Sequence, residues 1–293
     1  MFDSGVGGLT VLRALVERIP DADYLYFGDT ARLPYGSKSA ATVAHYAVGA
    51  VRYLQDQGAE LLVIACNTAT ALALDEIKAA ASVEVIGVVE PGAEAAAAAT
   101  RTRKVVVIGT EATISSHAYR RALEARKVMV REKACPLFVP LVEEGWVEHP
   151  VTEQVARIYL SEAFSEVVSE VVSDDVSGVV SDDARDADVL VLGCTHYPLI
   201  KPLLRRVAPE HVAIVDSAES TAQDVARRLQ IELQIELSPA STKIALHVPN
   251  GAVPNGAREL KFFATDSAEK FRTMGTRFLG FPVEYVTHVD LKE

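Results

Sequence analysis

The sequence is short of cysteine. It has three in 293 residues, Cys66, Cys135 and Cys194, with no CxxC pair and no spacing of the disulfide kind. So odd and sparse a set excludes a disulfide-stapled scaffold and points to a reducing compartment, the cytoplasm. Long apolar runs are missing too. No stretch of about 18 apolar residues is free of charge or glycine, and no basic region leads into an apolar N-terminal segment, so neither a membrane span nor an export signal is expected. Clustered positive charge is a third absence: the formal net charge is −11, and the densest basic stretch is "TRTRK" at Thr100 to Lys104. A nucleic-acid backbone is therefore excluded as the main ligand. Cys66, Cys194 and His196 lack a fourth partner and the usual short ligand pairs, so no metal site is expected. A small molecule remains, and if it is anionic the chain must meet it with backbone amides, hydroxyls or helix N-termini.

Against these absences stands ample apolar material, 49% of the residues, enough for one large or two medium cores. Strand-length runs ("YLYFG" from Tyr24, "LLVIA" from Leu61, "VEVIGVV" from Val83, "KVVVIG" from Lys104, "VLVLG" from Val189, "VAIVD" from Val212) alternate with helix-like stretches. Among the latter are "LTVLRALVERI", "SAATVAHYAVGAVRYLQDQG" and "ATISSHAYRRALEARK". Continuous apolar strands between helices indicate an α/β fold with parallel sheets covered on both faces. The alternation restarts at "EPGAEAAAAATRTRK" and a return near Asp216 is expected. That predicts two similar doubly wound lobes, 1–92 plus 217–293 and 93–216, with ligand bound beyond the carboxyl ends of the strands. The Val-Ser-Asp repeats from Ser161 and the duplications "LQIELQIEL" from Leu229 and "VPNGAVPNG" from Val248 carry no chemical constellation and read as surface expansions.

"VLVLGCTHYPLI" and "LLVIACNTATA" build the same corner twice: a buried strand, a thiol, then hydrogen-bonding side chains, Asn67-Thr68 and Thr195-His196. One such cysteine alone is more often inert packing, as Cys135 in "ACPLFVPLVEEG" is expected to be. Two, each where a strand hands over to a helix start, meet amide donors and a dipole that favour a thiolate or a bound carboxylate. Facing thiols suit removal of a proton from one face of a carbon and delivery to the other, since a free thiol titrates near pH 8.5 and needs only a modest shift. In "FDSGVGGLTVL" the glycines lack both the third glycine of a dinucleotide fingerprint and the lysine of a P-loop. They leave Asp3 and Ser4 either projecting into a cleft or, for Asp3, capping a helix. Pro34-Tyr35-Gly36 offers amides for a carboxylate or a plain turn, and His196 is either a core histidine or an acid/base partner.

Taken together, "FDSGVGGLTV", "YFGDTARLPYGSKS", "ACNTAT", "CPLFVPLVEEG", "LGCTHYPLI" and "EKFRTMGTRFLG" resemble the glutamate racemases along nearly the whole chain. The resemblance implies two α/β lobes with the site between them, commonly a homodimer, that interconvert L- and D-glutamate without a cofactor and supply D-glutamate for peptidoglycan. Residue by residue it makes Cys66 and Cys194 the acid/base thiols, Cys66 for D- and Cys194 for L-glutamate, with Asp3 and His196 assisting. It makes Asp3, Ser4, Tyr35, Gly36, Asn67, Thr68, Thr195 and His196 substrate contacts, with Thr110, Thr113 and Glu143 in a second rank. The alternatives are an aspartate, hydantoin or one-thiol relative of the same superfamily, or a non-catalytic protein that binds acidic amino acids.

Overall fold

A computed structural model of the chain describes residues 1–167, 182–183, 186–229 and 259–291. Most of the Val-Ser-Asp expansion and the two duplications lie outside the described residues. The chain begins with β1 (Phe2–Asp3), α1 (Leu9–Arg18), β2 (Tyr24–Gly28), α2 (Ala40–Asp56), β3 (Leu61–Ile64), α3 (Asn67–Ala80) and β4 (Glu84–Gly87). It continues through α4 (Val89–Ala99), β5 (Lys104–Gly109), α5 (Glu111–Ser115), α6 (Ala118–Glu124), β6 (Met129–Ala134), α7 (Phe138–Glu143) and α8 (Pro150–Ala163). After a short antiparallel pair, β7 (Glu166–Val167) with β8 (Asp182–Asp183), come β9 (Val189–Gly193), α9 (Lys201–Val207), β10 (Ala213–Asp216) and α10 (Ser217–Arg228). The chain closes with β11 (Leu260–Ala264), α11 (Ala268–Leu279) and β12 (Val286–His288).

Among the described residues these strands form two parallel sheets, ordered β12-β11-β2-β1-β3-β4 and β10-β9-β5-β6. This is the expected α/β architecture. Interior strands such as β5, "KVVVIG", are apolar without a break because both faces are covered. Val106 and Ile108 enter a core that joins the two sheets, while Val105 and Val107 pack on Tyr119 and Leu123 at the outer face. The outer face of the first sheet is closed by Val43, Ala47, Val51 and Leu54 of α2 over Phe27 and Ile64. Polar caps set the helix starts: Ser39 Oγ accepts from Thr42 N at 3.3 Å, and an Asp216 carboxylate oxygen accepts from Glu219 N at 2.9 Å. Gly280, at φ 86°, ends α11 in the left-handed region that glycine tolerates best.

Two sequence expectations are revised. "ATISSHAYRRALEARK" forms α5 and α6 rather than one helix, because His117 turns left-handed at φ 54° and Ser116 Oγ donates to Thr113 O at 2.6 Å. The break turns Tyr119 into the core. Strands β6, β11 and β12 have no counterpart among the apolar runs: "MVREKA" is an edge strand whose charges are tolerated at the rim, and "VTH" is a three-residue edge.

In the registers that matter, Asp3 lies beside Gly28 and Gly109 beside Gly193. The carboxyl ends of the central strands therefore carry Asp3, Ser4 and Cys66 on one sheet and Thr110 and Cys194 on the other.

Candidate active site

Cys66 follows β3 as the N-cap of α3, its Sγ accepting from Ala69 N at 3.4 Å and donating to Ser4 Oγ at 3.5 Å. Beneath it Asp3 is buried. One carboxylate oxygen accepts from Gly5 N at 2.9 Å, and the other takes no hydrogen bond from the described residues. Burial raises the Asp3 carboxyl, and burial followed by the nearby Asp3 charge pushes the Cys66 thiol up to about 12. This corner holds its proton at neutral pH. Asp3 is not the cap of α1, which starts at Gly8 without a side-chain cap.

The second corner is built differently from the expectation. β9 ends at Gly193, and Cys194 leads into a 3-10 turn, Tyr197–Ile200, whose early Pro198 keeps an α-helix from beginning at the thiol. In place of a helix amide, Cys194 Sγ has His196 Nδ1 at 4.0 Å, and His196 Nε2 lies 3.1 Å from Glu143 Oε1 at the end of α7. Burial disfavours the imidazolium, yet Cys194 and Glu143 outweigh it and hold His196 up at about 10. His196 in turn holds the Glu143 carboxyl below its ordinary value. The ring is fixed edge-on by Phe278 of α11, with centroids 5.1 Å apart.

The glycine turn fits between the corners. Gly5, Gly7 and Gly8 keep ordinary backbone angles, so they are needed for lack of bulk rather than for φ. A Cβ on Gly7 would stand 2.3 Å from Thr195 Oγ1 and 2.5 Å from His196 Nδ1, and one on Gly8 would stand 2.6 Å from Asp3 Cβ. The close approach brings the His196 corner down onto the strand end that bears Asp3.

Both thiols, each 5% exposed, open on one cavity of about 410 Å³. Of the residues singled out in the sequence, Ser4, Tyr35, Gly36, Cys66, Asn67, Thr68, Thr110, Glu143, Cys194, Thr195 and His196 line it. Asp3 and Thr113 lie behind the lining. Thr113 joins Thr68 and Thr110 in a hydroxyl triad, at 3.3 Å and 2.9 Å, and Thr68 meets Thr110 at 3.0 Å. The Asn67 side chain is turned away, accepting from Tyr119 OH at 2.7 Å and donating to Ser217 Oγ at 3.3 Å. What α3 offers the cavity is the pair of amides at Asn67 and Thr68, which have no carbonyl one turn back. Tyr35 likewise spends its hydroxyl on Asp29, at 2.6 Å.

Sequence reading missed Pro136, Val139 and Pro140 as lining. With Glu143 they fall at i, i+3, i+4 and i+7, the single face of α7 and its entry turn, a periodicity that was there to be read. Among the described residues no lysine or arginine lines the cavity, which leaves amides, hydroxyls and the His196 imidazolium to meet an anion there. Among the described residues no group of three or more His, Cys, Asp or Glu side chains could hold a metal ion.

The sequence model of the Asp/Glu/hydantoin racemase family matches residues 7–225, a span that includes both Cys66 and Cys194. A glutamate racemase of Koribacter versatilis is 59% identical over 296 residues, covering 99% of this chain and 96% of the relative. Among solved structures, a glutamate racemase isoform of Bacillus anthracis has a TM-score of 0.81 at 33% identity, covering 99% of this chain and 96% of that one. A glutamate racemase of Francisella tularensis, solved in complex with D-glutamate, has a TM-score of 0.78 at 32% identity with the same coverage.

Proposed function

The chain belongs to the Asp/Glu/hydantoin racemase family, and on that premise we propose that its cleft interconverts L- and D-glutamate by two-base proton transfer at Cα. The observation that carries this reading is the convergence of two thiols, one from each sheet, on a single cavity.

Starting from L-glutamate, Cys194 as thiolate takes the α-proton, and the C–H electron pair stays on the substrate. Amide and hydroxyl donors around the α-carboxylate, foremost the Asn67 and Thr68 N–H groups and Thr195, stabilise the charge that develops. Cys66, held as a thiol, then delivers its proton to the opposite face and is left as thiolate. From D-glutamate the same steps run backward. The His196 imidazolium supplies the counter-charge a thiolate at Cys194 needs, and Asp3 serves Cys66. Tyr35 and Gly36 amides, with Thr110, receive the side-chain carboxylate.

The two lobes, 1–92 plus 217–293 and 93–216, meet at this cleft in the proposal. A homodimer in the cytoplasm supplying D-glutamate to peptidoglycan synthesis completes it. No helix among the described residues is long and apolar enough to cross a membrane.

The test is L-glutamate in D₂O with no added cofactor, followed by polarimetry and proton NMR. Optical rotation should decay to zero in step with loss of the α-proton signal. Constant rotation with an untouched α-hydrogen would mark a binding protein, and exchange without inversion would mark a one-base enzyme.

A further inference from the structure

Asp29, one residue beyond β2, is fully buried and lines no part of the cavity, yet it ties together four segments that surround it. One carboxylate oxygen accepts from Tyr35 OH at 2.6 Å. The other accepts from Arg32 Nη1 at 2.9 Å and from Thr265 Oγ1 at 2.8 Å, beyond the end of β11. Its backbone N–H donates to Asp3 O at 3.1 Å. The Tyr35 ring lies 6.2 Å from Phe2 and 6.4 Å from Tyr46, and the Arg32 guanidinium sits 4.7 Å above the Tyr46 ring. The stretch so held, Leu33 to Ser37, forms one wall of the cavity, and Gly36 stands so close to Thr110 that a Cβ there would come within 3.2 Å of it.

We propose that Asp29 is a positioning residue that fixes the Tyr35-Gly36 backbone against Thr110 and thereby sets where the cleft receives a side-chain carboxylate. The inference rests on the functional reading above and extends it to the group that makes the wall rigid. A buried carboxylate with three donors is a strong anchor, because removing it leaves the Tyr35 hydroxyl and the Arg32 guanidinium without the partner they face. Racemisation inverts Cα while the far carboxylate stays in place, so a residue acting on that end must affect both enantiomers alike. A residue acting on one thiol instead alters the isotope effect from one enantiomer more than from the other, although kcat/KM stays equal in the two directions because the enantiomers have equal free energy.

The test compares wild type, Asp29→Asn, Tyr35→Phe and the double variant. Readouts are kcat and KM for both glutamate enantiomers, the primary isotope effect from each, turnover of aspartate, and melting temperature. Each single variant should raise KM about tenfold for both enantiomers, with kcat and both isotope effects little changed, the size expected for one lost charge-assisted hydrogen bond. Preference for glutamate over aspartate should narrow, and the double variant should be no worse than Asp29→Asn, because the bond that Tyr35→Phe removes is one that Asp29→Asn already weakens. An unchanged KM in Tyr35→Phe overturns the proposal even if Asp29→Asn does not fold. So does a fall in kcat at unchanged KM, or an isotope effect altered from one enantiomer alone. A wild-type protein that does not racemise glutamate removes the functional reading itself, a result none of the variants can mimic.

Discussion

His196 and Glu143 form an ion pair, Nε2 to Oε1 at 3.1 Å, that reaches from the second thiol corner to the end of α7. Because His196 is held up at about 10, well above the ordinary 6.5, the ring stays protonated across the neutral range. Glu143→Gln keeps an acceptor but removes the charge, so the His196 value should fall and the alkaline limb of kcat from L-glutamate should move to lower pH. A limb that stays put would show that Glu143 does not sustain the imidazolium.

The same pair bears on stability. Between about 6.5 and 10 the folded protein binds a proton at His196 that the unfolded chain releases, so unfolding free energy should decline as pH rises through that window. Denaturant melts of wild type and His196→Asn should differ most below pH 6.5 and converge toward pH 10. A difference independent of pH would assign the histidine to packing alone.

Cys66→Ala and Cys194→Ala should each abolish racemisation, whereas Cys135→Ala should retain it, since Cys135 is buried with its Sγ 3.7 Å from Lys133 O and lines no part of the cavity. Near wild-type turnover in either of the first two variants would end the two-base assignment.

Gly7→Ala should slow turnover by at least tenfold and cost about 1–3 kcal/mol of stability, the usual range for overpacking. The added carbon meets Thr195 Oγ1 at 2.3 Å and His196 Nδ1 at 2.5 Å, and the corner must move. Full activity with an unchanged melting temperature would mean that the two corners are not held in register through this contact.

Glutamate should be strongly preferred to aspartate. With Cα fixed between the thiols, a side chain one methylene shorter falls short of the Tyr35-Gly36 amides proposed to receive it, a heavier loss than the roughly 1–3 kcal/mol of a methylene in an apolar pocket. Comparable kcat/KM for the two substrates would instead place the protein on the aspartate or broad-specificity branch.

Much of this was legible in the sequence because the signals were local. Apolar runs marked the interior strands β2, β3, β5 and β9, though not β11, and the repeated strand-thiol corner marked Cys66 and Cys194. Less legible were relations set by packing at a distance. Asp29 sits in a turn and shows its role only when Tyr35, Arg32 and Thr265 close on it. The expectation of two equivalent corners failed at Pro198, which replaces a helix start with a 3-10 turn and leaves the task to His196. Asn67 looked like a ligand contact by side chain, yet that amide is engaged by Tyr119 and Ser217, partners 52 and 150 residues away in sequence.

The unlike corners also give the unliganded enzyme a memory. In the proposed two-base cycle a turnover from L-glutamate ends with the proton gone from Cys66, a thiol whose surroundings push it up to about 12, and one gained at Cys194, so the next L-glutamate waits until both thiols are reset. A D-glutamate molecule arriving first would find the enzyme already set for it. At high substrate, resetting between the two protonation forms becomes a step in its own right. That reset must return a proton to Cys66, which faces Ser4 and Asp3, and remove one from Cys194, which faces His196.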